Sequence, residues 1–371
     1  MSLAISATAN AQGNISMLGF GYPTGGMSTR VSGTAGALAE FDALTPQNPA
    51  SLVRISRSAF AAQAEPEYRT FSLSSVKESS TIPRLQLLAL GLRVSSRAVI
   101  SLSAANFLDR SYSTISTGSA TIEGQSLPTS DITVVKGSIS DLRAGVGYSL
   151  SPRLSIGVAA HAFTGSNKLN LTRRFADTLL FGSVTDTSAI DFFGSAFSFG
   201  AQLSIPHGFM ASASYRKGFR IEGESRNSII KHATIPDRLS GGLMYTGIAG
   251  SAFAVNVEHI NWTSMAALGS SSVQAHDATN WSVGAEISAG KIHGSPVLLR
   301  AGTGHTQLPF GANNGIASET RFGGGIALPI SAAGREPAVI DFSLQRANRK
   351  LTGSDAKESA WLLGLGLQIR P

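Results

Sequence analysis

FMASASYR, residues 209–216, alternates apolar and polar side chains, and this alternation decides the fold. Phe209 and Tyr215 fall on one face of an extended chain, whereas Ser212 and Arg216 fall on the other, because successive side chains of a β-strand point to opposite sides. About fourteen such stretches occur between residue 58 and the C-terminus, separated by turn residues and without a long helical pattern. They predict an all-β protein, a transmembrane antiparallel β-barrel of about 14 strands.

The alternation also places the individual strands. We expect them near Ser58–Glu65, Pro83–Val94, Val99–Phe107, Ile132–Leu150, Arg153–Thr164, Ile190–Ile205, Phe209–Glu222, Arg238–Thr246, Ala252–Trp262, Trp281–Ala289, Val297–Thr306, Thr320–Ile330, Val339–Asn348 and Ala360–Ile369. An even number of strands suits a single-chain barrel with both ends on one side. Short connections alternate with long ones, which we interpret as loops over residues 108–131, 165–189, 264–280 and 309–319.

Composition favours lipid as the surrounding medium. Charged residues make up only 14% of the 371 residues, whereas soluble domains average roughly 25%. No stretch reaches the ~18 apolar residues of a membrane helix, so apolar faces of strands must contact the lipid. The same alternation could build a soluble β-sandwich, but too few charges remain for its outer faces.

Charge and cysteine content exclude other classes. The net charge is +7, but Lys and Arg are scattered rather than clustered on one element, so we expect no nucleic-acid partner. The chain has no Cys, which excludes disulfides, thiolate chemistry and Cys-bound metal.

The first 55 residues do not alternate and divide into two parts. Ala9-Asn10-Ala11 has the small-x-small form of a signal-peptidase site, so residues 1–11 are interpreted as the remnant of an export signal, with an ordinary N-terminal tail as the alternative. Residues 12–55 are rich in Gly and small side chains, and they predict a hatch, or plug, inside the barrel. Residues 56–371 then form the barrel.

Several motifs resemble those of one family of membrane barrels. GTAGALAEFDA (33–43) followed by NPASL (48–52) resembles the N-terminal hatch of the outer-membrane long-chain fatty-acid transporters of the FadL/TodX type. IPDRLSGG (235–242), FAVNVEHINWT (253–263) and the segment 296–309 resemble later strands of the same family. The resemblance spans nearly the whole chain, although this chain ends in Ile-Arg-Pro rather than in an aromatic residue.

The resemblance implies a function as well as a fold. It implies a monomeric channel in the outer membrane of a diderm (Gram-negative) bacterium that passes hydrophobic small molecules, such as fatty acids or hydrocarbons, by passive diffusion past the hatch. Its other partners would be outer-membrane lipid and lipopolysaccharide. The same superfamily includes a branch resembling a secretion shuttle, so the alternative is a barrel that holds another protein and transports no small molecule.

A hydrophobic ligand with a carboxylate needs a cationic anchor inside the barrel. By strand parity, the candidate inward cations are Arg143, Arg216, Arg220, Arg300 and Arg321, and Arg300 is preferred because it lies in a resembling segment. The competing interpretation is that these arginines form ion pairs within the lumen.

The junction between hatch and barrel is the second candidate site. We place this junction at Asn48, Pro49 and Ala50. Pro49 interrupts regular structure and biases Asn48 away from a helical conformation, so the hatch is expected to end here. These residues and Asp42 could form a gate, or could be only a structural junction.

Signals for catalysis are missing from the sequence. It contains no Gly-x-Ser-x-Gly elbow, no phosphate-binding loop and no His-Glu-x-x-His motif. We therefore expect no enzyme, no cofactor and no metal site, although Ser and His from different strands could still meet in space.

Overall fold

The computed structural model describes residue 15 and residues 20–45, 47–73, 76–122, 125–176, 181–226, 228–269, 274–292, 294–312, 315–330 and 338–369. The predicted export-signal remnant, residues 1–11, lies outside these residues. Among the described residues, no helix has the length and apolar character needed to cross a membrane.

The chain is built almost entirely of strands. They are β1 (Tyr22–Pro23), β2 (Ala59–Ala64), β3 (Glu67–Leu73), β4 (Val76–Ile82), β5 (Leu85–Arg93), β6 (Ala98–Asp109), β7 (Tyr112–Ile122), β8 (Gln125–Ser149), β9 (Leu154–Phe175), β10 (Val184–Ile205), β11 (Phe209–Ser225), β12 (Ser228–Thr234), β13 (Arg238–Tyr245), β14 (Ser251–Ile260), β15 (Gln274–Ala275), β16 (Ala278–Ile292), β17 (Ser295–Ala312), β18 (Gly315–Ile330), β19 (Ala338–Leu351) and β20 (Lys357–Ile369). Among the described residues the helices are short, and they include α1 (Thr29–Gly33) and the 3-10 helices Pro49–Arg54, Pro206–Gly208 and Trp262–Leu268.

The strands close into an antiparallel barrel that has fourteen strands when a strand with a short break is counted once, as predicted. The strands with a break are β2 with β3, β4 with β5, β6 with β7, β12 with β13, and β15 with β16. The last strand, β20, pairs with β2 and β3, which closes the barrel and leaves no free edge. Closure satisfies the backbone polar groups that hydrocarbon could not.

The two faces of the wall differ as the alternation predicted. On β20, Leu363, Leu365 and Leu367 are each at least 40% exposed on the outer surface, whereas the residues between them face the lumen. The same outward row of large apolar side chains continues around the barrel. A wall with this exterior is suited to lipid.

Several strands extend further than their alternation indicated. β8 begins at Gln125, β9 continues to Phe175, and β7 fills much of the region 108–131 that we expected to be a loop. These extensions are rich in Ser, Thr and Asn on both faces. A strand that leaves the lipid no longer needs one apolar face, so it loses the period-two signal.

A β-bulge changes which residues of β11 face outward. Gly194 pairs with Ile221 and Ala196 pairs with Gly218, so β11 carries one extra residue between these pairs. Beyond the bulge, the parity that places Arg216 inside is reversed, and Arg220 lies on the outer surface with its side chain 61% exposed. The predicted inward position of Arg220 is therefore wrong, because a period-two pattern cannot detect an inserted residue.

Residues 20–55 contact inward-facing residues on opposite sides of the barrel, so this N-terminal segment lies in the lumen. Tyr22 bonds to Glu319 on β18, and Asn48 bonds to Ser212 on β11. The approach is close at Gly157, where a Cβ atom would overlap the backbone of Pro49. Glycine at this position lets the segment pack directly on the wall.

Candidate functional site

One end of the N-terminal segment is held by a buried ionic cluster, which we call the Tyr22 cluster. The Tyr22 hydroxyl donates to Glu319 at 2.6 Å and accepts from Arg321 Nη2 at 2.6 Å. Burial raises the pKa of Tyr22 to about 12, so the hydroxyl stays protonated and can donate. The Arg349 guanidinium lies 4.3 Å from the Tyr22 ring centroid.

The charges of the Tyr22 cluster are balanced by the wall itself. Arg349 is fully buried and contacts Glu67 at 2.7 Å, and Glu319 and Glu358 at 2.5 Å each. The remaining ion pairs of the cluster, among the described residues, join Arg84 to Asp109 and Glu67, Arg69 to Glu67 and Glu358, and Arg321 to Glu319. Buried charges are tolerated when each has a partner of opposite charge, and each arginine of this cluster contacts a carboxylate, although Nη2 of Arg69, Arg84 and Arg349 makes no hydrogen bond.

A second ionic group contains the preferred sequence candidate, Arg300. Its Nε atom lies 2.6 Å from Glu286, and its Nη1 atom contacts Asp341. Arg30 of the N-terminal segment bonds to the same Glu286 at 2.6 Å and reaches Asp42 at 3.5 Å. The Arg300 guanidinium is thus engaged by carboxylates, as the competing interpretation expected, and it joins the segment to the wall.

The Asn-Pro-Ala motif lies fully buried against β11. The Asn48 side chain caps the 3-10 helix Pro49–Arg54 by accepting from the Ala50 amide at 2.8 Å, and its amide donates to Glu40 at 2.8 Å and Ser212 at 2.7 Å. The motif therefore fixes the exit of the segment from the lumen. The gating role of Asn48, Pro49, Ala50 and Asp42 stays a prediction.

Between the segment and the wall lies a cavity of about 120 Å³. Aromatic rings form one side: Trp262 stacks on Phe107 at 5.5 Å and on Phe20 at 5.7 Å, and Phe107 meets Phe163 edge-on at 4.8 Å. The residues that line the cavity include Phe107 and Trp262, the cations Arg216, Arg238 and Arg321, and the carboxylates Asp141 and Glu258. The cavity is therefore apolar on one side and polar on the other, with three cations against two carboxylates.

Arg216, a sequence candidate, lines this cavity and is incompletely bonded. Its guanidinium carbon lies 5.3 Å from the Phe107 ring centroid and 5.7 Å from that of Phe163. Its Nη2 atom donates to the Pro236 carbonyl at 3.3 Å, but its buried Nε atom has no hydrogen-bond partner. An unsatisfied buried donor costs stability, so this group is available to an anion.

Two further buried arginines add positive charge nearby. Arg238 lies directly opposite Arg216 across the β11–β13 pair, and its own Nε atom is unpaired. Its carboxylate contacts are long, 3.9 Å to Glu40 and 3.8 Å to Glu258. Arg143, another sequence candidate, faces inward on β8 with Nε and Nη2 unpaired. Together they form the cationic side of the lumen.

His161 explains why the nearest carboxylate does not neutralise Arg143. Both Asp141 oxygens lie 2.9 Å from His161 Nδ1, and His161 Nε2 lies 2.9 Å from the Ser198 hydroxyl. These three side chains are hydrogen-bonded in the same sequence as in a Ser-His-Asp hydrolase. However, Ser198 is only 1% exposed and lies on a regular strand, so a substrate could not reach its hydroxyl. The chain of bonds holds Asp141 on His161 and leaves the arginines unpaired.

Sequence reasoning missed Arg238 and the aromatic side of the cavity. Phe163 could have been predicted as an aromatic lumen residue, because it lies two residues from the lumen-facing His161 and therefore on the same face of its strand. In the Tyr22 cluster only Arg321 was found by parity, since the partners it meets are far apart in sequence. Among the described residues, no group of three or more His, Asp or Glu side chains is placed to hold a metal ion.

The fold and the lumen define a transmembrane β-barrel of the outer-membrane type, with an N-terminal segment inside it. Residues 1–296 match the family model described as BamG, and the chain belongs to the BamG family. No curated protein sequence matches it.

Solved structures agree with this fold. A Pseudomonas aeruginosa FadL homologue aligns with a TM-score of 0.61 at 11% identity, over 95% of this chain and 99% of that one. The CymD monoaromatic hydrocarbon channel aligns at 0.59 with 16% identity, over 93% and 97%. The Pseudomonas putida toluene transporter TodX aligns at 0.58 with 13% identity, over 93% and 98%. The resemblance to the FadL/TodX family therefore holds at the level of the fold.

Proposed function

We propose that this protein is an outer-membrane channel of a diderm bacterium that binds hydrophobic small molecules in its lumen and passes them by passive diffusion, without a cofactor. One observation carries the proposal: an aromatic cavity contains a buried arginine, Arg216, whose Nε donor is unpaired. Similar barrels named as monoaromatic hydrocarbon and toluene channels support it.

The size of the cavity narrows the class of ligand. An apolar cavity of roughly 150 Å³ can hold benzene, so a cavity of about 120 Å³ has room for about one aromatic ring. A long-chain fatty acid needs a site nearer to ~300 Å³ or more. We propose that the ring of a small aromatic carboxylate occupies this cavity with its carboxylate towards Arg216, whereas a long-chain fatty acid fits there only if the N-terminal segment moves as a hatch.

The test is ligand binding to the protein purified in a mild detergent, with phenylacetate, toluene and palmitate as probes. Trp262 lines the cavity, so its fluorescence reports occupancy. We expect saturable binding of phenylacetate, and a loss of about tenfold or more in affinity for Arg216→Gln, since a hydrogen bond to a charged group contributes about 1.5–3 kcal/mol.

Arg220→Gln is the matched control. Arg220 lies four residues further along the same strand but on the outer surface, paired with Glu222 at 2.8 Å. We expect its affinity for phenylacetate to equal that of the wild type. No binding of any of the three probes would refute the proposal.

A second function is favoured by the dense bonding of the N-terminal segment. The Tyr22 cluster and the Arg300 group both fix this segment to the wall, which suits a barrel that holds another protein rather than one that opens. Purification from native membranes distinguishes the two functions: a stoichiometric protein partner with an empty lumen would favour the holding function.

A further inference from the structure

Three consecutive turns at one end of the barrel carry basic side chains. These are the turns at residues 94–97, 150–153 and 206–208, and we call Arg97, Arg153 and His207 the basic arc. Ser149 N donates to the Arg97 carbonyl at 2.8 Å and Ser204 N donates to the Arg153 carbonyl at 2.7 Å, so each turn is bonded to the next. Neighbouring strands are ~4.8 Å apart, which spaces successive turns by roughly 10 Å along the wall.

The arginines of the arc have no internal counter-charge. Arg97 and Arg153 are exposed, and in the described part of the chain their side chains make no hydrogen bond or ion pair. The three turns contain no Asp or Glu.

Some cations elsewhere on the outer surface are paired. Lys217 bonds to Asp237 at 2.7 Å, and half-buried Arg173 bonds to Asp131 at 2.6 Å. Arg97 and Arg153 have no such carboxylate among the described residues, so both are open to an external anion.

The arc lies at the level where lipid meets water. Val94 is 58% exposed on the outer wall and Leu150 is 49% exposed. Phe209 directly follows the turn at residues 206–208, and its ring centroid lies 4.7 Å from that of Tyr245 on the neighbouring strand. Aromatic side chains gather at the membrane interface, so the cations that follow them reach the headgroups.

We infer that the basic arc binds the anionic phospholipid headgroups of the leaflet at the short-turn end of the barrel. Its cations lie in a row around the circumference of the barrel, which is parallel to the plane of a bilayer. A protein partner would instead be expected to contact a patch on one side of the barrel. Each basic residue near an anionic lipid surface contributes about 1 kcal/mol, which corresponds to about fivefold in affinity. The inference rests on the proposed membrane location but not on the lumen ligand.

Native mass spectrometry of the detergent-purified barrel tests the inference. The protein is mixed with equal amounts of phosphatidylglycerol and phosphatidylcholine, and the retained lipids are counted. We expect the wild type to prefer phosphatidylglycerol by about twentyfold, and R97Q/R153Q to lose most of this preference, because two fivefold contributions multiply.

Two control proteins make the outcome specific. R97K/R153K keeps the charge and should keep the preference, and R220Q removes an exposed, paired arginine and should leave the preference unchanged. Equal retention of both lipids by the wild type, or an unchanged preference in R97Q/R153Q, would overturn the inference. So would an acidic protein that co-purifies stoichiometrically and is released by R97Q/R153Q. Lipid retention is read independently of phenylacetate binding, so either proposal can fail alone.

Discussion

The Tyr22 cluster and the Arg216 site are both arginine-rich, and both lie between the N-terminal segment and the wall. In the first, fully buried Arg349 contacts three carboxylates. In the second, Arg216 and Arg238 lie opposite each other with unpaired Nε atoms. The difference is one of charge balance. Every arginine of the first site has a carboxylate within 3.0 Å, although Arg349 Nη2 makes no hydrogen bond, so we call this site complete in charge. In the described part of the chain no carboxylate pairs with Arg216, so we call the second site incomplete.

The two regions therefore differ in their expected roles. A complete ionic cluster resists separation, because removing one member leaves buried charge uncompensated. An incomplete site costs stability while it is empty and recovers that cost when an anion enters. We interpret the Tyr22 cluster as the attachment of the segment and the Arg216 site as the place of exchange.

The largest expected effect comes from preventing the segment from moving. The backbones of Gly33 and Gly325 touch, with a Cβ built at Gly33 lying 3.3 Å from the Gly325 Cα, so Gly33→Cys with Gly325→Cys can form a disulfide in a chain that has no other Cys. If entry requires movement, oxidation should slow phenylacetate binding at least tenfold, as measured by stopped-flow fluorescence, and a reductant should restore it.

Each single cysteine variant serves as a control and should bind at the wild-type rate. An unchanged rate in the oxidised double variant would show that the ligand reaches the cavity without movement of the segment.

The next largest effect should come from breaking the complete cluster. Arg349→Met leaves three buried carboxylates with too little positive charge, and we expect a loss of about 3–5 kcal/mol in the free energy of unfolding. Denaturant titration in detergent measures it. Lys350→Met, at the exposed neighbouring position, should change stability little. Equal losses for the two variants would contradict the assignment.

The same substitution at the incomplete site should have the opposite sign. Arg216→Met removes a buried charge with an unpaired donor, so we expect the empty barrel to be unchanged or more stable by up to about 2 kcal/mol. The measurement is the same titration, without ligand. A loss as large as that of Arg349→Met would mean that Arg216 is already satisfied and would remove the contrast between the sites.

The smallest effect should come from His161. His161→Phe frees the Asp141 carboxylate, which can then pair with Arg143 on the same strand and reduce the positive charge of the lumen. We expect phenylacetate affinity to fall by about two- to fivefold, in line with a single partly screened charge pair. Asp141→Asn combined with His161→Phe should recover the affinity, and failure to recover it would show that His161 acts by packing instead.

Much of the fold could be predicted from the sequence, because lipid imposes a strict period of two. The alternation from Trp361 to Ile369 placed β20 and its outward leucines. The polar ends of β8 and β9 escaped prediction, since a strand outside lipid has no apolar face to reveal it.

The site was predictable only in part. Parity placed Arg143 and Arg216 on the inner face, where they lie. Whether an inward arginine is paired depends on residues brought near by closure, and Arg349 meets Glu67 across 282 positions of sequence. No local pattern carries that information.

The bulge in β11 also bears on how such barrels diversify. One additional residue between Gly218 and Ile221 sends Arg220 to the exterior instead of the lumen. Deleting Phe219 would remove the bulge, but Arg220 would stay outside, because Gly218 before it and Ile221 after it both face the lumen. A one-residue insertion at a bulge can therefore add a charge to the outer surface of such a barrel without changing which neighbouring residues face the lumen.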